Sequence, residues 1–331
     1  MIMMANSRPA AYHGTGWLPR EGTLADEIAG VELWRNCSVT SEWQTLKEVI
    51  LYIPNPGTPP VEDVNSIQHL DEIDFWKLAT QLKNLAQCYE QFGIKVHFAR
   101  HVKLSPEPTT EYYYNLMFCR DLFFMTPEGA IVSRMGSKVR AGEEKHAART
   151  LADLGVPVIR TISGNGTFEG ADALWVARNL VAIGVGKRTN EAGFRQVQDT
   201  LEDQGVTCIK VNLPSRIQHT LGILQMVDHN LAVVRGELME PETKEQLRQF
   251  GFKLIELQET KSVRQNQAMN FVTISPRRIV MVGGNPETKQ LYEENGIEVA
   301  AEVEVTELLK GAGGIGCATG ILSREPNLKS I

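Results

Sequence analysis

The stretch Ala173-Leu174-Trp175-Val176-Ala177-Arg178-Asn179-Leu180-Val181-Ala182-Ile183-Gly184, with Gln204-Gly205-Val206-Thr207-Cys208-Ile209 after it, contains the unit from which most of the chain is built. Two apolar runs on either side of the polar Ala177-Arg178-Asn179 read as a hairpin by pattern and turn chemistry. An amphipathic stretch then runs to Gly205, and a glycine at that point suits the left-handed cap that ends a helix before a strand. The unit is strand, strand, helix, strand.

Working outward, the same helix ending recurs at Gln91-Phe92-Gly93-Ile94-Lys95-Val96, Leu154-Gly155-Val156-Pro157-Val158, Phe250-Gly251-Phe252-Lys253-Leu254-Ile255 and Asn295-Gly296-Ile297-Glu298-Val299. Successive glycines lie 62, 50, 46 and 45 residues apart, which makes five copies. Hairpins precede three more of the helices: Leu122 to Ser133 around Thr126-Pro127-Glu128-Gly129, Leu224 to Val234 around Asp228-His229-Asn230, and Phe271 to Val282 around Ser275-Pro276-Arg277-Arg278. The first copy is less regular: it keeps Glu48-Val49-Ile50-Leu51-Tyr52-Ile53 as a strand and then inserts a proline-rich loop from Pro54 to Pro60.

One such unit cannot bury its own apolar faces. Five of them must share neighbours, and radial closure leaves no exposed sheet edge. The fold class expected is therefore α/β, a closed five-bladed αβ-propeller of ββαβ repeats. The competing arrangement, two α/β domains joined near residue 155, lacks a Pro/Gly/Ser-rich linker at that point.

Composition narrows the function. The 331 residues carry 34 Lys+Arg against 40 Asp+Glu, a net charge of −6, with 42% hydrophobic residues and a mean hydropathy of −0.20. A mildly acidic chain with no sustained basic block offers no footprint for nucleic acid or an anionic membrane. No apolar run approaches the ~20 residues that span a bilayer, and the first 30 residues lack the apolar core of a signal peptide. A cytoplasmic location is the expectation. Cys37, Cys88, Cys119, Cys208 and Cys317 are odd in number and irregularly spaced, with no C-x-x-C pair, so neither a disulfide framework nor a metal site is expected.

If the repeats are radial, loops ahead of the hairpins converge on one axis. The polar residues in them are Asp121 in Asn115-Leu116-Met117-Phe118-Cys119-Arg120-Asp121, Glu169 and Asp172 in Phe168-Glu169-Gly170-Ala171-Asp172, His219 in Ile217-Gln218-His219-Thr220-Leu221-Gly222, and Cys317 in Gly313-Gly314-Ile315-Gly316-Cys317-Ala318-Thr319-Gly320. Cys317 is the sharpest, because the glycines ahead of it let backbone N–H groups turn towards a reacting group. Its thiol, near an ordinary pKa of ~8.5, needs a neighbouring cation to ionise, and a histidine oriented by a carboxylate supplies one. Taken singly, each residue has an ordinary structural reading: free Cys as a small buried hydrophobe, His219 as a hydrogen-bonded core residue, Glu169 and Asp172 as turn or cap residues, and Asp121 as an ion pair with Arg120. Their recurrence at equivalent places is what singles them out.

These segments resemble those of the guanidino-group-modifying enzyme superfamily, the penteins: arginine deiminases, amidinotransferases and dimethylarginine dimethylaminohydrolases. Asn115 to Asp121 is similar to an N-L-x-F-x-R-D segment, Phe168 to Thr189 to an E-G-G-D segment with its strands and R-T, Ile217 to Val227 to a catalytic-histidine segment, and Lys310 to Glu325 to a C-terminal G-G-x-x-C segment ending in R-E. The resemblance runs from about Val39 to Glu325 in unbroken motif order. It implies residues 1–38 as an N-terminal extension and 39–331 as a single αβ-propeller catalytic domain. Of the two roles open to His13, Trp17 and Trp34 of the extension, a lid over the axial site or packing on the outside, the second is the expectation.

The resemblance further implies that the Cys317 thiolate attacks the guanidinium carbon. Asp121 would grip guanidinium nitrogens through both oxygens. His219, oriented by Glu169, would protonate the leaving amine and then activate water. Asn115, Phe118, Asp172, Arg140 and Arg188 would line the substrate cavity. The departures matter too. Leu221 stands where a second guanidinium-binding Asp is common, and Ala312 and Gly316 stand where arginine deiminases carry arginines. The expected activity is hydrolysis of a C–N bond in a guanidine or amidine other than free arginine, through a covalent amidino-thioether and without cofactor or metal. An amidinotransferase is the alternative, and a non-catalytic pentein binding protein is a third reading. The expected partner is the small-molecule substrate; a homodimer is allowed, although no stretch marks a dimer surface.

Overall fold

The computed structural model describes residues 8–31, 33–100 and 112–326. The first seven residues of the expected extension and residues 327–331 of the expected catalytic domain therefore lie outside the described residues. Among the described residues fifteen strands form five three-stranded sheets. In chain order they are β1 (Leu46–Leu51), β2 (Lys95–Phe98), β3 (Phe123–Thr126), β4 (Gly129–Val132), β5 (Val158–Thr161), β6 (Ala173–Ala177), β7 (Leu180–Val185), β8 (Thr207–Asn212), β9 (Leu224–Asp228), β10 (Leu231–Arg235), β11 (Lys253–Leu257), β12 (Val272–Ser275), β13 (Arg278–Val282), β14 (Glu298–Val303) and β15 (Gly320–Arg324).

Four sheets read β3-β4-β5, β6-β7-β8, β9-β10-β11 and β12-β13-β14, each an antiparallel hairpin with a third strand added in parallel after a helix. The helices are Glu144–Asp153, Glu191–Glu202, Pro241–Gln249 and Pro286–Glu294. The fifth sheet is β15-β1-β2 around the helix Phe75–Gln91. Its irregularity in sequence has a topological cause: its first strand comes from the other end of the chain, and β15 pairs antiparallel with β1. That closure completes a five-bladed αβ-propeller. The first strands of the blades are buried along nearly all their length, whereas β2, β5, β8, β11 and β14 are largely half-exposed or exposed on the outer side.

Local chemistry accounts for the elements. The helix Phe75–Gln91 is capped by the Asp74 carboxylate, which accepts from the N–H groups of Trp76 and Lys77. It buries Phe75, Leu78, Leu82, Leu85 and Tyr89, a stripe at helical spacing. Gly93, Gly155, Gly205, Gly251 and Gly296 all take φ between 73° and 90° behind their helices, where a side chain would be strained.

Buried polar groups from distant segments meet in the interior. Arg120 Nη2 donates to Glu42 Oε1 at 2.7 Å, and Arg324 Nη1 donates to the carbonyls of Gln44 and Thr273. Arg120 thus pairs with Glu42 and not with Asp121. Of the described N-terminal residues, none lines the pocket at the axis: Trp34 lines a groove on the outer wall, Trp17 is half exposed against His13, and the Arg35 N–H bonds to the Gly155 carbonyl. Among the described residues no helix is long and apolar enough to cross a membrane.

Candidate active site

Each blade sends a short segment over the same end of the axis immediately before its first strand. Single 3-10 turns at Cys119–Asp121, Gly170–Asp172 and Thr220–Gly222 precede β3, β6 and β9, and a short helical turn at Ile315–Ala318 precedes β15. Asp121, His219 and Cys317 line one pocket there, with Phe118, Asn115, Arg140 and Arg188. Glu169, fully buried, backs it. Two larger grooves of about 620 and 690 Å³ lie beside the N-terminal segment and contain neither Cys nor His.

The turns are set by tight backbone contacts. Glycine is required at Gly170, since a Cβ would come 2.2 Å from the Phe123 carbonyl oxygen and 2.6 Å from that of Arg120. Gly170→Ala is expected to cost about 1–3 kcal/mol through overpacking, read as a lower denaturant midpoint at unchanged slope. A midpoint equal to wild type would show that the turn relaxes.

Glu169 and His219 form the central pair. Glu169 Oε2 lies 2.7 Å from His219 Nε2. Glu169 Oε1 accepts from the Gly136 N–H at 3.0 Å and from Arg188 Nη1 at 3.3 Å. Burial opposes ionisation of Glu169, but the hydrogen bond from His219 and the charges of His219, Arg140 and Arg188 hold its carboxyl well below the usual range. Ionised Glu169 can only accept, so Nε2 carries the proton and Nδ1 is the atom turned towards Asp121, 3.8 Å from its Oδ1. Burial pulls His219 down, yet the carboxylates of Asp121, Glu169 and Asp172 outweigh it and raise the imidazole to about 9. The ring is an imidazolium at neutral pH.

This has a consequence for stability. A histidine whose folded pKa exceeds its ordinary value near 6.5 stabilises the fold fully below that value and loses the contribution as pH rises through about 9. The wild type is expected to lose on the order of 2 kcal/mol between pH 6.5 and 9 relative to His219→Gln. Parallel unfolding curves across that window would sink the assignment.

Asp121 departs from the symmetric grip implied by the resemblance. Its Oδ2 accepts from Arg140 Nη1 at 2.5 Å, while its Oδ1 is buried with no hydrogen-bond partner. One oxygen is therefore committed and the other is aimed into the pocket. Arg140 is in turn held by Glu143, three residues on and 1% exposed, through Nε at 2.9 Å. Arg140 lines the pocket, but its charge is spent on Asp121 and Glu143, so it is not a free clamp for a substrate carboxylate. Arg188 sits near the mouth, shared between Glu169 and Gln218.

Asp172 stands behind the pocket rather than in it. It is fully buried and accepts from Thr189 Oγ1 at 2.6 Å and from the Thr220 N–H at 3.0 Å, which ties down the turn that carries His219. Asn115 donates to the Ile67 carbonyl and pairs with His69. Phe118 lies against Gly311 and Gly313, where any side chain would strike its ring.

Cys317 is half-buried at the pocket wall, and burial pushes its thiol up to about 11, with the Asp121 carboxylate adding to the effect. Sequence reasoning missed its closest partner, Asn270, which precedes β12 as Asp121 precedes β3. The repeat alignment held that signal. It also missed Gln68 and Gln218 at the rim, which carry none.

Residues 65–323 match the family described as N,N dimethylarginine dimethylhydrolase, eukaryotic. N(G),N(G)-dimethylarginine dimethylaminohydrolase of Pseudomonas aeruginosa is 29% identical over 211 residues, 63% of this chain and 78% of that protein. The uncharacterized protein YkgA of Bacillus subtilis is 25% identical over 285 residues, 86% of this chain and 94% of that one. Among solved structures, the Pseudomonas aeruginosa enzyme in complex with citrulline superposes with a TM-score of 0.67 at 24% identity, covering 83% of this chain and 99% of that one. The amidinotransferase SxtG of Microseira wollei gives 0.71 at 15% identity, covering 89% and 99%. These two likenesses speak to the fold.

Proposed function

The chain belongs to the N,N dimethylarginine dimethylhydrolase family, and from that premise we propose that it hydrolyses a C–N bond of a guanidine or amidine other than free arginine. The unit responsible is residues 39–331, with residues 1–38 as an extension. The observation that carries the reading is the convergence of a thiol, a carboxylate-held imidazolium and an unpartnered carboxylate oxygen in one buried pocket.

The substrate guanidinium sets one N–H on Asp121 Oδ1, the buried acceptor without a partner. Burial, with the Asp121 carboxylate adding to it, holds the Cys317 thiol neutral, and the arriving positive charge offsets the Asp121 part. Its proton leaves to water, since His219 is already protonated. Sγ then bonds to the guanidinium carbon, and the C–N bond to the leaving amine breaks as the amine takes the proton from His219 Nδ1. Neutral His219 next takes a proton from water, whose oxygen bonds to the same carbon. The C–S bond breaks as the carbonyl forms and the oxygen's remaining proton passes to water, so the thiolate is released and a urea, or an amide from an amidine, leaves.

Substrate class follows from the remaining charges. Leu221 is 3% exposed within an apolar cluster, so no second carboxylate grips the guanidinium from there. Arg140 and Arg188 are both engaged by carboxylates. This favours a guanidine or amidine that is alkylated or apolar on its far side. The test is a panel of alkylguanidines and amidines assayed for ammonia or alkylamine without an added acceptor. Product only when an amine acceptor is supplied would indicate amidino transfer, and no product or covalent adduct from any member would overturn the reading.

A further inference from the structure

We propose that Asn270 is the positioning residue of the nucleophile, gripping Cys317 through both ends of its side-chain amide. This rests on the reading that Cys317 attacks the substrate. Asn270 Nδ2 donates to Cys317 Sγ at 2.9 Å, and Asn270 Oδ1 accepts from the Cys317 backbone N–H at 3.1 Å. The second contact orients the amide: its oxygen must face the peptide N–H, so its NH₂ must face the sulfur.

The surroundings are shaped for this amide. Asn270 is 5% exposed, and its backbone is held in a turn by the Gln267 carbonyl at 2.8 Å. A Cβ on Gly314 or on Gly316 would each come 2.9 Å from the Asn270 side chain. The glycines ahead of Cys317 therefore have a concrete reason to lack side chains: they admit the amide between the turn before β12 and the turn before β15. With Asn270 included, all five blades contribute a polar group at the same place: Asp121, Glu169, His219, Asn270 and Cys317.

The grip has two effects. It fixes the direction of Sγ, which decides whether the sulfur meets the guanidinium carbon. It also places an uncharged N–H donor on the sulfur, favouring the thiolate. Of the charged groups facing Cys317, Asp121 opposes ionisation and Arg140 favours it, while His219 and Arg188 line the same pocket. Asn270 stabilises the thiolate without cancelling the negative charge on Asp121 that the substrate needs.

The experiment is the pH dependence of iodoacetamide alkylation at Cys317, followed by peptide mass in the full chain, for wild type, Asn270→Asp and Asn270→Ala. A hydrogen bond to a charged partner is worth enough that losing it should lower the thiolate fraction about 10- to 100-fold at a given pH, most in Asn270→Asp, whose carboxylate would face the sulfur. On an active substrate, kcat should fall in step while KM holds within about 2-fold. Should Asn270→Asp fail to fold, Asn270→Ala and Asn270→Ser read the same profile. Folded variants that keep the wild-type alkylation profile overturn the inference. Alkylation needs no substrate, so the two readings fail separately. An unchanged profile beside an inactive Cys317→Ser removes the role of Asn270 alone. A shifted profile beside a fully active Cys317→Ser removes the nucleophile assignment alone.

Discussion

Cys317→Ser is expected to lower turnover on a guanidine substrate by roughly 10⁴-fold or more, the scale seen when a covalent nucleophile is removed. The reason lies in the pocket as much as in the element. A serine hydroxyl is far more reluctant than a thiol to ionise, so it needs a neutral base in contact. His219, raised to about 9 by its carboxylate neighbours, is already protonated and cannot serve. Sulfur, even with its thiol pushed to about 11, ionises far more readily than a hydroxyl once a cation sits beside Asp121. The swap changes little in shape, so binding of the guanidinium to Asp121 should persist, and KM should move by only a few-fold. Steady-state amine release and intact mass after incubation with a haloacetamidine check this together. Retained turnover, or an adduct that still forms on the variant, would place the nucleophile elsewhere.

His219→Gln is the second large effect, a loss of roughly 10²- to 10⁴-fold in kcat from removing proton transfer in both half-reactions. It also separates the halves. With an S-alkyl isothiourea the departing thiolate needs no proton, so Sγ can still bond to carbon and expel it. Water can then no longer be activated, because the residue 2.7 Å from Glu169 carries no titratable nitrogen. The amidino-thioether should accumulate on Cys317 and be visible as a stable mass increase. Rapid turnover of the isothiourea with no accumulating adduct would remove His219 from the hydrolytic step.

The fold was legible because its signals are local. A helix that ends at Gly155 or Gly251 must leave the right-handed region there, and a hairpin around Asp228-His229-Asn230 must turn where polar residues interrupt two apolar runs. Periodicity and turn chemistry act over a few residues, so they can be read along the chain. The first blade reads as less regular because its first strand, β15, reaches it across the whole length of the chain. Pairing between the two ends has no local signature.

The chain by itself determined the five repeats, their hairpins and helix ends, and the residue types Asp121, Glu169, His219 and Cys317 in the loops ahead of first strands. What only the tertiary structure decided is which atoms of those residues are free. Asp121 is an ordinary carboxylate in sequence; packing gives its Oδ2 to Arg140 and leaves Oδ1 in the pocket without a hydrogen-bond partner. Asp172 matches a motif, yet it is bonded to Thr189 and Thr220 behind the pocket and does not line it. Asn270 lies in none of the matching family segments, marked only by its repeat position before β12, and nonetheless lies 2.9 Å from the sulfur. The physical reason is the same in each case. Hydrogen bonds are satisfied in three dimensions between segments far apart in the chain, and the partner a polar group finds there decides whether it is left for chemistry.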